Sequence, residues 1–506
     1  MSLPRFSPVV SALLVGTLLA LCVPPMPLGP ALPLILALAF QNLAGMSGKA
    51  AFRWGFLSGL PQYAGSLFWL FSVGKIAPLA LVSAGVLLLL AYMSLWSGLW
   101  AWLFCLCERR RHGLFLYPFL WVGVELLRSS GELGFPWNHL AYDLGNHLWL
   151  VQGASLVGGF GLSLALVATG LVARQILSNS LSRKWAVVPA VFWIAWTAFG
   201  AWTMAQPMTG PSIRVAVVQP AVPQTKKWSE PYFAGVMEKT FATASRVKGP
   251  VDLVAFPETS MPDFWPLRPL QSLRFSRLSD TLGTDVVVGA LDFERNPAAP
   301  KGAYIRNGAF LLTPGKPLSW RYDKIFLVPF GERVPFDWIP MVSKLDLEQG
   351  GFSAGHEVKV RETRGVAWAP SLCYELIYPE LARMAHEKGA RMLVNLTNDG
   401  WFGESIGPWQ HLNIQRFRAI ESGMPLLRSA NTGISVVTDR HGRVLAQSRL
   451  MADTVISATV QAGDPEGSFY VRHGRAIERI LWILGLTCAL SLFVLPKHRN
   501  APLPSR

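Results

Sequence analysis

Glu258, Lys324 and Cys373 carry the three side-chain types that an acyl transfer through a thioester requires. A carboxylate takes a thiol proton, the thiolate attacks an acyl carbon, and an ammonium stabilises the oxyanion that forms. Each residue alone has a plainer reading. Glu258, after Val251-Asp-Leu-Val-Ala-Phe-Pro, is equally a solvated strand end, and Lys324 a surface lysine. Cys373 is the single cysteine of the segment 211–470, because Cys22, Cys105, Cys107 and Cys488 fall in or beside long apolar runs. A lone thiol without a disulfide partner in its own domain is either buried and inert or kept for reactivity. The joint appearance of the three favours chemistry.

Their sequence settings carry a resemblance. Phe256-Pro-Glu258, Tyr322-Asp-Lys324 with Pro329-Phe-Gly-Glu332, and Cys373-Tyr-Glu375 occur in order, and they resemble the signatures of the carbon–nitrogen hydrolase (nitrilase) superfamily. That resemblance implies an α-β-β-α sandwich with Glu258 as general base, Lys324 as oxyanion stabiliser and Cys373 as nucleophile. Glu332 and Glu375 are then supporting acids, since a buried ammonium needs partners to stay charged. Tyr374 either shapes the pocket or packs in the core. One departure is Phe326, where superfamily members often have His two positions after the lysine. Within the superfamily, the apolar segments, Gly134-Phe-Pro-Trp-Asn138 and Thr397-Asn-Asp-Gly-Trp-Phe-Gly403 resemble the apolipoprotein N-acyltransferase family over nearly the whole chain. What this implies is ping-pong transfer of an acyl chain from a membrane phospholipid, through Cys373, to the α-amino group of a lipoprotein's N-terminal diacylglyceryl-cysteine. A membrane-tethered amidase or nitrilase cleaving a small C–N bond is the alternative. A transporter or receptor with a vestigial enzyme domain is a third reading, disfavoured because few ionisable residues such as Glu125 lie inside the apolar spans.

The elements that must position these residues are short apolar runs ending in polar groups: Arg214–Gln219, Val251–Glu258, Thr284–Gly289, Val366–Cys373 and Arg391–Thr397. Helical patterns cover 230–247, 379–388 and 408–422, and Gly433–Leu445 is expected to be a hairpin turning at His441-Gly442. This alternation argues an α/β domain with its chemistry at strand ends.

The rest of the chain has a membrane composition: hydrophobic residues make up 51% of 506 and charged residues 15%. A bilayer core takes roughly 20 apolar residues, and eight spans are expected near 8–24, 29–45, 54–73, 77–104, 113–128, 148–173, 185–205 and 478–496. The domains are therefore 1–210 with seven helices, 211–470 as the nitrilase-like catalytic domain, and 471–506 with the last helix and a cytoplasmic tail. Arg5, Lys49, Arg53, Arg109, Arg110, Arg111, Arg174, Arg183, Lys184, Lys497, Arg499 and Arg506 fall in loops of one side, against Lys75 and Arg128 on the other. Basic residues stay cytoplasmic, so the catalytic domain faces outward, in the periplasm of a multi-pass bacterial inner-membrane protein. Arg472, Arg475 and Arg479 oppose this bias at the outer mouth of the last helix, as a solvated anchor or a contact to anionic headgroups.

The net charge of +15 is largely explained by this topology, and no nucleic-acid motif accompanies it. His411 and the other histidines lack metal-ligand spacing, so neither metal nor cofactor is expected. Gly158-Gly-Phe-Gly161 is expected to be a helix-packing feature. Trp228, Phe264, Trp265, Trp338, Trp401 and Phe402 sit in loops near strand ends. They are either core and interfacial belt or an apolar mouth at the bilayer surface that admits acyl chains.

Overall fold

The computed structural model describes residues 7–297, 302–318, 320–336, 338–339 and 351–496. It divides into two compact units, one reaching to Ala205 and resuming at His473, the other Gln206–Arg472. Arg5, Lys497, Arg499 and Arg506, part of the topology argument, lie outside the described residues.

The unit Gln206–Arg472 is built on two sheets. The first contains β1 (Ser212–Gln219), β2 (Leu253–Ala255), β3 (Met261–Phe264), β4 (Asp285–Arg295), β5 (Ala303–Leu312), β6 (Trp320–Asp323) and the late β13 (Thr454–Gln461). Its order is β13-β1-β2-β4-β5-β6, with β3 alongside β4. The second contains β7 (Arg361–Thr363), β8 (Val366–Leu372), β9 (Met392–Thr397), β10 (Leu426–Ala430), β11 (Val436–Thr438) and β12 (Val444–Gln447), in the order β12-β11-β10-β9-β8-β7. The central neighbours β1-β2-β4 and β8-β9-β10 run parallel. Parallel strands covered on both faces read as continuous apolar runs rather than alternating ones, which accounts for Val215-Ala-Val-Val218 and Met392-Leu-Val394.

The side-chain alternation within those runs sorts residues between layers. Val215 and Val217 point into a core shared with Trp368, Leu372, Met392, Val394 and Leu396 of the other sheet. Ala216 and Val218 face the helices Phe233–Ala244 and Pro269–Leu282 through Met237 and Phe275. On the far side, Ala369 and Leu393 meet Leu381, Ala385 and Ala419 of the helices Pro379–Glu387 and Gly407–Ser422. The result is the four-layer α-β-β-α sandwich. The hairpin is β11–β12, with Gly442 N donating to the Asp439 carbonyl.

The other unit is helical, and not all of the eight expected spans are long apolar helices among the described residues. Four described helical segments are long and apolar enough to cross a membrane: Leu79–Glu108, Ala154–Leu177, Arg183–Ala205 and Phe469–Val494. Pro8–Ala20 and Leu32–Leu43 are apolar but have 13 and 12 residues, and Tyr117–Arg128 has 12. The remainder of those runs is spent on turns around Pro24, Pro25, Pro27 and Gly113. Gly48–Leu67 has 20 residues but includes Lys49, Arg53 and Gln62. Three further expectations change. Arg128 ends a helix and is fully buried rather than sitting in an outer loop. The last helix starts at Phe469, so Arg472, Arg475 and Arg479 lie on its first turns, with Arg472 3.5 Å from Glu466. Gly158, at φ 68° and ψ 178°, breaks the helix Ala154–Leu177 instead of packing within a regular one; that backbone is open to glycine because it lacks a Cβ.

Candidate active site

Glu258 stands just beyond the C-terminal end of β2, where the apolar strand has run out. The approach of β4 fixes it: a Cβ on Gly289 would lie 2.6 Å from the Glu258 Cα, the Pro257 carbonyl and the Thr259 amide. Only a glycine admits that spacing. The carboxylate, 5% exposed, accepts from Asn307 Nδ2 at 2.7 Å on Oε1 and from the Asn398 amide at 3.1 Å on Oε2. Asn307 belongs to β5 and Asn398 follows β9, so both sheets hold this one group.

Lys324 follows β6, and its amide donates to the Asn307 carbonyl at 2.9 Å. Its Nζ is 2.8 Å from Glu332 Oε1 and 3.4 Å from Glu258 Oε1. Burial alone would lower the ammonium's pKa; Glu332 and Glu258 outweigh it, and the group lies above the ordinary lysine value. Glu332 also accepts from the Val328 amide at 2.9 Å, which ties the loop to the lysine.

Cys373 is the first residue beyond β8 and has φ of +51°. A non-glycine residue held in that region is strained by about 1–3 kcal/mol and persists only when its surroundings over-determine it. Two amides do so by donating to its carbonyl: Gln415 Nε2 at 3.0 Å and Asn395 Nδ2 at 3.2 Å. Behind them lies a fully buried set. Arg428 bonds both Asp399 and Gln415, and His411 Nδ1 is 3.0 Å from Asp399 Oδ1. Burial works to raise Asp399, but Arg428 and His411 overcome it and hold the carboxyl down at about 2. The Cys373 thiol is pushed up to about 12, by burial first and then by the Glu258 charge, with Lys324 opposing. It therefore rests as a thiol and needs a base at the moment of attack.

Glu375 is fully buried and hydrogen-bonds to the Tyr322 hydroxyl; burial raises its carboxyl to about 8. It is in electrostatic reach of Lys324 but contacts it less directly than Glu332 does. Tyr374 packs edge-to-face on Tyr378, 5.8 Å between ring centres. Phe326, at the departure from the superfamily pattern, stacks on the same Tyr378 at 4.9 Å, so an aromatic contact fills that position.

The aromatic residues scatter. Trp265 joins the helix-side core, stacked on Phe310 at 4.6 Å, and is withdrawn from any mouth. Phe264 packs on Phe293 at 5.4 Å. Phe402 is buried edge-to-face on His411 at 5.5 Å, beside the cysteine's supporting set, and Trp401 is half-buried. Trp228 and Trp338 are exposed, at 44% and 73%. Sequence reasoning missed Asn307, Asn395, Asp399, Gln415, Arg428 and Lys227. Asn307, Asn395 and Arg428 sit inside apolar strands, and a polar residue on a strand buried on both faces was the available signal.

A match to the carbon–nitrogen hydrolase family covers residues 214–466, and one to the apolipoprotein N-acyltransferase N-terminal domain covers 15–172. The chain is 36% identical over 487 residues to an apolipoprotein N-acyltransferase of Geobacter metallireducens, covering 92% of this chain and 91% of that one. The chain belongs to the apolipoprotein N-acyltransferase family. Another member, from Rhodopseudomonas palustris, is 32% identical, with 95% and 94% covered. Among solved structures, Saccharomyces cerevisiae Nit3 of the nitrilase superfamily aligns with 54% of this chain and 96% of its own at 19% identity and a TM-score of 0.37. As an apolipoprotein N-acyltransferase family member the chain is a carbon–nitrogen hydrolase relative, a superfamily that uses a cysteine nucleophile.

Proposed function

We propose that the chain N-acylates lipoproteins, taking the acyl chain from a membrane phospholipid ester and passing it through a Cys373 thioester to the α-amino group of an N-terminal diacylglyceryl-cysteine. The observation that carries this reading is the buried cluster of the Cys373 thiol with the Glu258 carboxylate and the Lys324 ammonium, in which Glu258 is clamped by both sheets and Lys324 by two acids. Glu258 takes the thiol proton as sulfur attacks the ester carbon, and Lys324 faces the oxyanion. Collapse of the tetrahedral intermediate expels the lysophospholipid, which takes the proton from Glu258. In the second half the neutral amine attacks the thioester, its proton passes to Glu258, and the departing sulfur recovers it. Glu332, Glu375 and Tyr374 support the lysine and the cysteine, and Trp228, Trp338, Trp401 and Phe402 are offered as contacts to the lipid substrates. The domains keep the limits 1–210, 211–470 and 471–506. Eight membrane-crossing segments would place the catalytic unit in the periplasm, with the arginines at 109–111 on the cytoplasmic side of the inner membrane.

The test is mass spectrometry of the peptide containing Cys373 after incubation with phospholipid alone. An added acyl chain, labile to hydroxylamine, is expected. Acyl transfer that needs both substrates together and survives Cys373→Ala would replace the thioester with direct transfer. Phospholipid-independent release of ammonia from a small amide would instead support a hydrolase.

A further inference from the structure

Lys227 is a second lysine in the site, and the triad leaves it unused. It ends the short turn Gln224–Lys227 and is 3% exposed. Its Nζ donates to the Glu258 backbone carbonyl at 2.9 Å and lies 5.9 Å from the Trp228 ring centre. Its titratable neighbours are the Glu258 carboxylate and the Cys373 thiol. Beyond Glu258 stand Lys324 and Glu332; beyond Cys373 stands Asp399, its charge matched by Arg428, with His411 hydrogen-bonded to it.

A buried site tolerates charge only when it is balanced. Glu258 and Glu332 ionised against Lys324 alone leave one surplus negative charge beside a thiol that must itself become negative. Lys227 as an ammonium removes that surplus, and its bond to the Glu258 carbonyl fixes the backbone from which the base projects. Building on the proposed thioester route, we infer that Lys227 is a positioning residue for acylation, holding Glu258 in place and balancing the charge of the Cys373 site with its ammonium. Burial lowers the Lys227 pKa to about 7, with Glu258 and Cys373 opposing, so the balance is present below neutral pH and fades above it.

The experiment is the rate of Cys373 acylation by phospholipid in the purified full chain, followed by mass across pH for wild type, Lys227→Met and Lys227→Arg, with thermal melting of each. Lys227→Met is expected to acylate about tenfold to a hundredfold more slowly in acid, the worth of one hydrogen bond from a charged group. The gap to wild type should narrow as pH rises through about 7, where wild type loses the same charge. Lys227→Arg stays charged at all these pH values, so its rate relative to wild type should climb over that interval; if arginine does not fit and the variant fails to fold, the Met series decides alone. A wild-type adduct with a Lys227→Met rate that is unchanged, or reduced by one constant factor at every pH, overturns the inference and leaves the thioester intact. Absence of the adduct in wild type overturns the thioester reading and this inference with it.

Discussion

At Lys324 the requirement is for a compact ammonium held between Glu332 and Glu258. Arginine keeps the charge but replaces a point donor by a planar fork, which cannot occupy the same 1%-exposed niche. Lys324→Arg is therefore expected to lose about 100-fold to 1000-fold in acylation rate, the usual effect of removing an oxyanion donor. A melting temperature close to wild type with near-normal turnover would assign the lysine a structural place only. At Cys373 the raised thiol sets a pH signature. A group held protonated to about 12 should be alkylated by iodoacetamide ever faster as pH increases past the range where an ordinary thiol, of pKa about 8.5, has levelled off. A plateau near that ordinary value, followed as modification of the Cys373 peptide, would contradict the burial of the thiol.

Among the elements, β10 and the helix Gly407–Ser422 matter because they carry Arg428, His411 and Gln415 to the back of the cysteine. Arg428→Met strands the Asp399 carboxylate in the interior, and breaking a buried pair from one side costs about 3–5 kcal/mol. The catalytic unit should melt earlier and become protease-sensitive, whereas Arg428→Met with Asp399→Asn should recover much of the loss. The pH dependence has a definite sign. Asp399 titrates at about 2 in the folded state against about 3.9 in an unfolded chain, so its contribution is present above the unfolded value and lost as pH falls toward 2. Gly289 on β4 makes the complementary point. Gly289→Ala must push the strand away from Glu258, and acylation should fall while substrate KM changes little, measured in initial-rate assays.

For the whole molecule, the expected outcome concerns sidedness. A reporter cysteine added in the loop at residues 109–111 should resist an impermeant maleimide in intact cells and react after permeabilisation, while a cysteine at the exposed Pro297 should react from outside. Labelling of the 109–111 loop in intact cells would invert the topology. The apolar stretches were legible because a membrane demands a long run of apolar residues whatever the packing. How many of those stretches form long helices was not, since prolines and glycines such as Pro24, Pro25 and Gly158 end or bend helices inside otherwise continuous apolar sequence.

From its sequence alone the chain declared its acyl-transfer residue types, the order of Glu258, Lys324 and Cys373, the strands that end at Glu258 and Cys373, and the apolar runs beside them. These are local properties: periodicity, strand termini and residue chemistry are written within a few positions of one another. The tertiary structure alone decided that Glu332 rather than Glu375 bonds the lysine, that Trp265 belongs to the core, and that Lys227 reaches the Glu258 carbonyl across 31 positions of chain. It also decided the network behind Cys373, where Asn395, Asp399, His411, Gln415 and Arg428 meet. Such partnerships depend on which strand lies beside which and on which face each side chain leaves. Both follow from packing two sheets and four helices together, and neither is set by the neighbours of any one residue in sequence.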